Sequence, residues 1–150
     1  MTTLLTEVQT ADKMVKIARE QVDAFNSGDW EHVRATLASD SLYDELGTER
    51  KIEGPEKIVD LFKGWKTAFP DGTGTVTSAV GSGNKVALEV TWKGTHTGPL
   101  ETEEGTLPAS GKRQETPAAA VYTFEGDKIK ECRHYFDSMT LLKQIGAQPK

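Results

Sequence analysis

The apolar residues of this chain change their spacing at Pro70-Asp71-Gly72, and that change constrains the fold more than any other feature. Before the turn they recur every three or four residues, the period of a helix face. After it they alternate, the period of a strand. Helices first and strands afterwards predict an α+β protein: a curved antiparallel sheet with the N-terminal helices on one side. A sheet bent around helices leaves a cone-shaped cavity, and such mouths are common ligand sites. At 150 residues the chain has the length of one domain with one core.

In the helical part, Met14, Ile17, Ala18, Val22 and Phe25 form one stripe, predicting a helix over residues 10–27. Thr10 or Asp12 is placed to cap it, Gly28 to end it in the left-handed conformation, and residues 1–9 read as a flexible tail. Asp29 then caps a shorter helix carrying Trp30, Val33 and Leu37. Ser41 to Leu46 reads as a brief strand, with Leu42, Asp44 and Leu46 on one face and Tyr43 and Glu45 on the other. Residues 47–53 read as a polar loop. A third helix starts at Pro55, with Ile58, Leu61, Phe62, Trp65 and Phe69 as its stripe, and Pro70 stops it.

In the strand part, Thr73 to Val80 is β-branched and reads as a strand. Lys85 to Thr97 follows, where Val86, Leu88, Val90 and Trp92 alternate with Ala87, Glu89, Thr91 and Lys93. Continued alternation points His96 inward, and a bulge at Gly94 would reverse it. Residues 98–113 read as a long loop of the kind that serves as a lid. Gln114 to Phe124 pairs with Lys85 to Thr97, and a turn at 125–128 leads to the last strand. There Ile129, Glu131, Arg133, Tyr135 and Asp137 alternate with Lys130, Cys132, His134 and Phe136. Neither set is wholly apolar, so parity leaves the inner face open. A short helix with Met139, Leu141, Leu142 and Ile145 closes the chain at Gly146.

The formal net charge is −5 with no cluster of Lys and Arg, which sets aside nucleic acid and anionic membrane surfaces as partners. The N-terminus lacks a secretory pattern, no stretch is long enough to span a bilayer, and Cys132 is the one cysteine. A reducing cytoplasm is the expected location. The histidines His32, His96 and His134 have no ligand spacing with Cys or Asp, so no metal site is expected, and no Gly-rich phosphate loop stands at a strand-to-helix turn.

Five phrases resemble the SnoaL-like polyketide cyclase or ester cyclase family of the nuclear-transport-factor-2-like superfamily. They are FNSGDW (25–30), IEGPEKIVDLFKGWKTAFPD (52–71), GTHTGPL (94–100), LPASGKR (107–113) and GDKIKECRHYFDSMTLLKQIG (126–146). The resemblance runs from about Asp12 to Gly146. It implies a cone-shaped α+β barrel, a homodimer or higher homo-oligomer, and a pocket for a small apolar or amphipathic molecule. It also implies cofactor-free acid/base chemistry such as aldol ring closure. The superfamily includes non-catalytic binders too, so a ligand-binding module is the alternative. The family's acid/base Asp matches Asp137 and its motif histidine matches His96. Arg133 stands where the family often has Trp.

For each candidate the residues support two readings. Asp137 is either an acid/base with a pKa raised by an apolar site or the N-cap of the last helix. His96 either polarises a carbonyl or packs beside Trp92. Trp92 and Trp65 are core or substrate platform, and Tyr135, with Tyr43 and Tyr122, is a candidate hydroxyl donor. Arg133 and Glu131 either neutralise each other across the sheet or, for Arg133, select an anionic ligand. Asp44 is placed to reach the mouth, and Cys132 reads as apolar filler.

Overall fold

A computed structural model of the chain describes residues 2–147, with side chains from Thr10 onward. Helix α1 (Thr2–Ser27) and helix α2 (Trp30–Thr36) form the expected hairpin. Gly28 joins them at φ +72°, and the Asp29 carboxylate accepts from the His32 N–H to cap α2. Helix α1 starts earlier than Thr10 and runs over residues expected as a tail. Strand β1 (Leu37–Glu45) is longer than expected, and the polar segment after it holds a short strand, β2 (Arg50–Glu53). Helix α3 (Pro55–Ala68) starts at its proline, as predicted. Strands β3 (Thr73–Ser82) and β4 (Lys85–Thr95) follow. Residues 98–113 are not one structureless loop, because β5 (Leu100–Thr102) and β6 (Gly105–Leu107) pair as a small hairpin. Strand β7 (Arg113–Glu125), strand β8 (Lys128–Phe136) and helix α4 (Ser138–Gln144) complete the order.

The main sheet has the order β2-β1-β8-β7-β4-β3. Its β3–β4, β4–β7 and β7–β8 pairs are antiparallel, whereas β1 and β8 run parallel, so the sheet is mixed rather than purely antiparallel. The physical cause is the connection: β1 enters from the α1–α2 hairpin, and the chain returns to its side only after the other strands are built. Sheet and helices bury Ala18, Ile58, Leu88, Val90 and Ile129 in one core. At one end a second cluster forms around Ala68, Phe69, Leu100, Leu141 and Ile145. Between these clusters lies the cavity.

Two strand registers matter for what faces that cavity. The β4–β7 pairing runs without a break from Lys85 to Thr95, so no bulge turns His96 outward, and it is 1% exposed. The β7–β8 pairing does shift, between Thr123 and Phe124. Ile129 lies opposite Phe124 and Glu131 opposite Thr123, which leaves Lys130 as the extra residue of a bulge. Beyond it Cys132, His134 and Phe136 turn to the helices, and Arg133 and Tyr135 turn away.

Candidate functional site

The cavity has a volume of about 110 Å³. Inward residues of four strands wall it: Tyr43 and Glu45 from β1, Trp92 from β4, Gln114 and Thr116 from β7, and His134 and Phe136 from β8. Helices α1 and α3 add Phe25, Phe62 and Trp65, and α4 adds Leu141. Aromatic rings make up about half of the lining, and several of them pack edge to face. Phe25 meets Trp92 at 5.3 Å, Tyr43 meets Phe62 at 5.1 Å, and His134 meets Phe136 at 5.2 Å.

A connected set of polar groups crosses this apolar wall. The Trp92 indole N–H donates to His134 Nε2 at 3.2 Å. An indole nitrogen only donates, so Nε2 is the acceptor and the ring proton sits on Nδ1. Nδ1–H then donates to Tyr43 Oη at 2.6 Å, and the Tyr43 hydroxyl donates to Glu45 Oε2 at 3.3 Å. Glu45 is 0% exposed. Its Oε2 also accepts from the Trp65 indole at 2.9 Å. Its Oε1 accepts from Thr48 at 2.6 Å and from Arg50 Nη2 at 2.6 Å. A buried carboxylate needs such partners, and the Arg50 guanidinium balances its charge.

Burial shifts the titration of this set. It pushes His134 down to about 4, against the pull of the Glu45 carboxylate. Burial first, and the Glu45 charge second, push the Tyr43 phenol well above its ordinary value. Both groups are therefore neutral near pH 7. The Cys132 thiol on the same wall is likewise pushed up by burial, which fits an apolar filler and not a nucleophile.

The candidates read from sequence divide cleanly. Trp92 and Trp65 line the cavity, each with its indole N–H committed. Asp137 does not line it, and the acid/base placement is corrected: the side chain is exposed and caps α4. It accepts from the Met139 N–H at 3.0 Å and the Thr140 hydroxyl at 2.9 Å. The Thr140 hydroxyl and N–H and the Met139 N–H hold its pKa below the usual value, the opposite of what a desolvated acid needs. His96 points inward but lies behind Phe69, with ring centroids 5.3 Å apart, and is not part of the wall. The Ser110 N–H donates to its Nδ1 at 3.2 Å, so Nε2 carries the proton and is sealed without a partner among the described residues. Burial lowers its pKa.

Arg133, Tyr135 and Glu131 are corrected as well. The bulge at Lys130 puts them on the outer face, where the Arg133 guanidinium lies 5.5 Å from the Tyr135 ring centre. Asp44 is 9% exposed but shares that outward parity, opposite Lys51 and Arg133, and does not reach the cavity. The groups missed as site residues are Glu45, His134, Gln114 and Thr116. Their signal was position on the inward parity, which the last strand alone could not settle. Among the described residues no group of three or more His, Cys, Asp or Glu is placed to hold a metal ion. No helix among them is long and apolar enough to cross a membrane.

This arrangement of cone, aromatic cavity and closing helix has relatives. The profile of the SnoaL-like polyketide cyclases matches residues 16–145. The chain belongs to that family. No curated protein matches it. Among solved structures, it is similar to a proposed SnoaL-like polyketide cyclase from Jannaschia sp. CCS1, with a TM-score of 0.83, 19% identity, and 93% of this chain and 96% of that one covered. IdmH from Streptomyces antibioticus, a proposed polyketide cyclase, is 26% identical over 89% of this chain and 98% of its own, with a TM-score of 0.75. An LEH-like epoxide hydrolase from M. tuberculosis shares the fold at a TM-score of 0.70 and 17% identity, with 90% of each chain covered. Family and fold together support a small-molecule cyclase or isomerase scaffold.

Proposed function

We propose that this SnoaL-like protein is a cofactor-free acid/base enzyme for a compact, largely apolar carbonyl compound, and that His134 is its base. The observation that carries this reading is the Trp92–His134–Tyr43–Glu45 relay, with a buried carboxylate at its far end. Titratable groups coupled in an apolar cleft mark functional sites, because holding them there is unfavourable for folding alone.

The chemistry follows from the tautomer. His134 Nε2 holds a lone pair, and its other nitrogen is oriented by Tyr43, which is oriented in turn by Glu45. A ligand that displaces the Trp92 N–H exposes that lone pair. A proton then leaves the carbon beside a carbonyl and goes to Nε2, giving an enolate and an imidazolium. The Glu45 carboxylate stabilises the imidazolium through Tyr43. The freed indole N–H remains as a donor to the ligand. Returning the proton at another position is an isomerisation, and trapping the enolate with a second carbonyl is an aldol closure. The volume of about 110 Å³ suits a ligand on the scale of one ring, near the ~150 Å³ at which an apolar cavity takes up benzene.

A second reading has its own support. Every polar atom of the relay is already paired inside the protein, as expected of a pocket that binds without converting. Deuterium exchange separates the two. With acetophenone in D₂O, the first reading expects the protein to accelerate exchange of the methyl protons and His134→Gln to abolish the acceleration while leaving binding intact. Binding without accelerated exchange in the unmodified protein would establish the second. A homodimer, implied by the family resemblance, is also proposed, and a monomer across a wide concentration range in sedimentation would exclude it.

A further inference from the structure

The proposed chemistry uses one polar pole of the cavity and leaves another unexplained. Gln114 on β7 is 7% exposed and lines the cavity. Its orientation is set by a chain of hydrogen bonds that begins at the backbone. The Glu115 N–H donates to Gln144 Oε1 at 2.8 Å, and Gln144 Nε2 donates to the Thr140 carbonyl at 3.1 Å. Those two backbone groups leave Gln144 one orientation. Its Nε2 also donates to Thr116 Oγ1 at 3.3 Å, so the Thr116 hydroxyl hydrogen is directed to Gln114 Oε1 at 2.6 Å. The Gln114 amide nitrogen therefore faces away from Thr116 and has no partner among the described residues. The side-chain atoms sealed off without a partner among those residues are Ser41 Oγ and His96 Nε2. The Gln114 nitrogen is not one of them, so it is open to the cavity.

We propose that Gln114 holds a second carbonyl oxygen of the ligand, which makes the substrate a compact dicarbonyl compound. Three observations point there. First, the free group is a donor, so the ligand atom is an acceptor, and an unmet donor in an apolar cavity is unfavourable until one arrives. Second, Lys93 is the one Lys or Arg among the described lining residues, and it is paired with Glu115 at 3.3 Å, so the lining offers no unpaired cation that asks for a carboxylate. Third, Trp92 connects the two poles. Thr116 lies opposite Trp92 across the β4–β7 pair, Gln114 is the next inward position, and the indole reaches His134 through its N–H. A ring lying along the indole is within reach of both. The role of the first carbonyl rests on the proposed function above, and the recognition of the second does not.

The test compares 1,4-diacetylbenzene with 4′-ethylacetophenone, which keeps one ketone and replaces the other by an alkyl group of similar shape. Dissociation constants are read by NMR titration of the intact protein. The unmodified protein is expected to favour the diketone about three- to tenfold, the range of one neutral hydrogen bond. Gln114→Met is expected to bring the ratio to near one while 4′-ethylacetophenone still binds. Thr116→Val frees the amide to turn and is expected to lower the ratio as well, and it decides the matter if Gln114→Met does not fold. A ratio near one in the unmodified protein overturns the proposal, as does a ratio that survives both substitutions. Deuterium exchange plays no part in this ratio, so failure of His134 as the base and failure of Gln114 as the second anchor give different results.

Discussion

Acidification should destabilise this protein through His134, and the size of the effect can be worked out in advance. Burial lowers the imidazole from 6.5 to about 4 in the native state, and the unfolded chain keeps the ordinary value of ~6.5. Between those values the unfolded state carries a proton on His134 that the native state does not. Unfolding then takes up a proton, so stability falls as pH falls through this window, by up to ~1.4 kcal/mol per pH unit. Above pH ~6.5 the residue is neutral in both states, and below ~4 it is protonated in both, so neither range adds to the loss. The whole window is worth about 3 kcal/mol at most, because the ring borders a cavity that water can enter. Urea midpoints from pH 7 to pH 4 measure it, with His134→Gln as the reference. His96, lowered by burial, and Asp137, lowered by its hydrogen bonds, are the same in both proteins and cancel in the difference. The variant should start less stable and converge on the unmodified protein as pH falls. Parallel curves across the whole range would refute the burial argument and, with it, the neutral tautomer on which the relay depends.

The remaining predictions concern positions where the structure makes single interactions decisive. Asp137→Ala removes the cap of α4 and should lower Tm by a few degrees in calorimetry, yet leave ligand affinity and deuterium exchange unchanged. Loss of exchange in that variant would restore Asp137 as the acid/base. Arg50→Met leaves the Glu45 carboxylate buried without its cation and should destabilise by about 3 kcal/mol or more in urea, whereas a change near zero would mean that the indole and hydroxyl donors suffice. Gly98→Ala drives a methyl group into the Thr67 carbonyl and should destabilise by about 2 kcal/mol or more. An unshifted urea midpoint would mean that this close approach relaxes freely.

Much of the fold is written in local chemistry. Gly28 and Asp29 mark the joint of the helical hairpin, Pro55 and Pro70 bracket α3, and the alternation from Val86 to Trp92 defines β4. Each is a signal carried by neighbours in sequence. The short strand β2 carried no such signal. Its Arg50-Lys51-Ile52-Glu53 run is polar because it sits at the sheet edge, and it becomes a strand only because β1 lies beside it. The parallel pairing of β1 with β8 is invisible for a similar reason, since it joins segments about ninety residues apart.

The site was less legible than the fold, and one residue explains most of the difference. Ile129 is apolar and buried at 0% exposure, so strict alternation from it points Glu131, Arg133, Tyr135 and Asp137 into the cavity. The bulge at Lys130 cancels that inference by one residue. Because a strand's side chains have a period of two, a single extra residue exchanges the entire inner and outer sets. Two carboxylates, a guanidinium and a phenol leave the proposed site, and an imidazole and a thiol enter it. On β4 the same logic holds without interruption, and Trp92 falls on the cavity side as its alternation implies. The chemistry of this pocket therefore turns on the bulge. Deleting Lys130 removes the extra residue, so Glu131 follows Ile129 directly, opposite Thr123 and Phe124, and Cys132 and His134 keep their inward places. The deletion should therefore leave the Trp92–His134 contact in place, and an inward Arg133 in a structure of that variant would refute the bulge as the cause of the exchange.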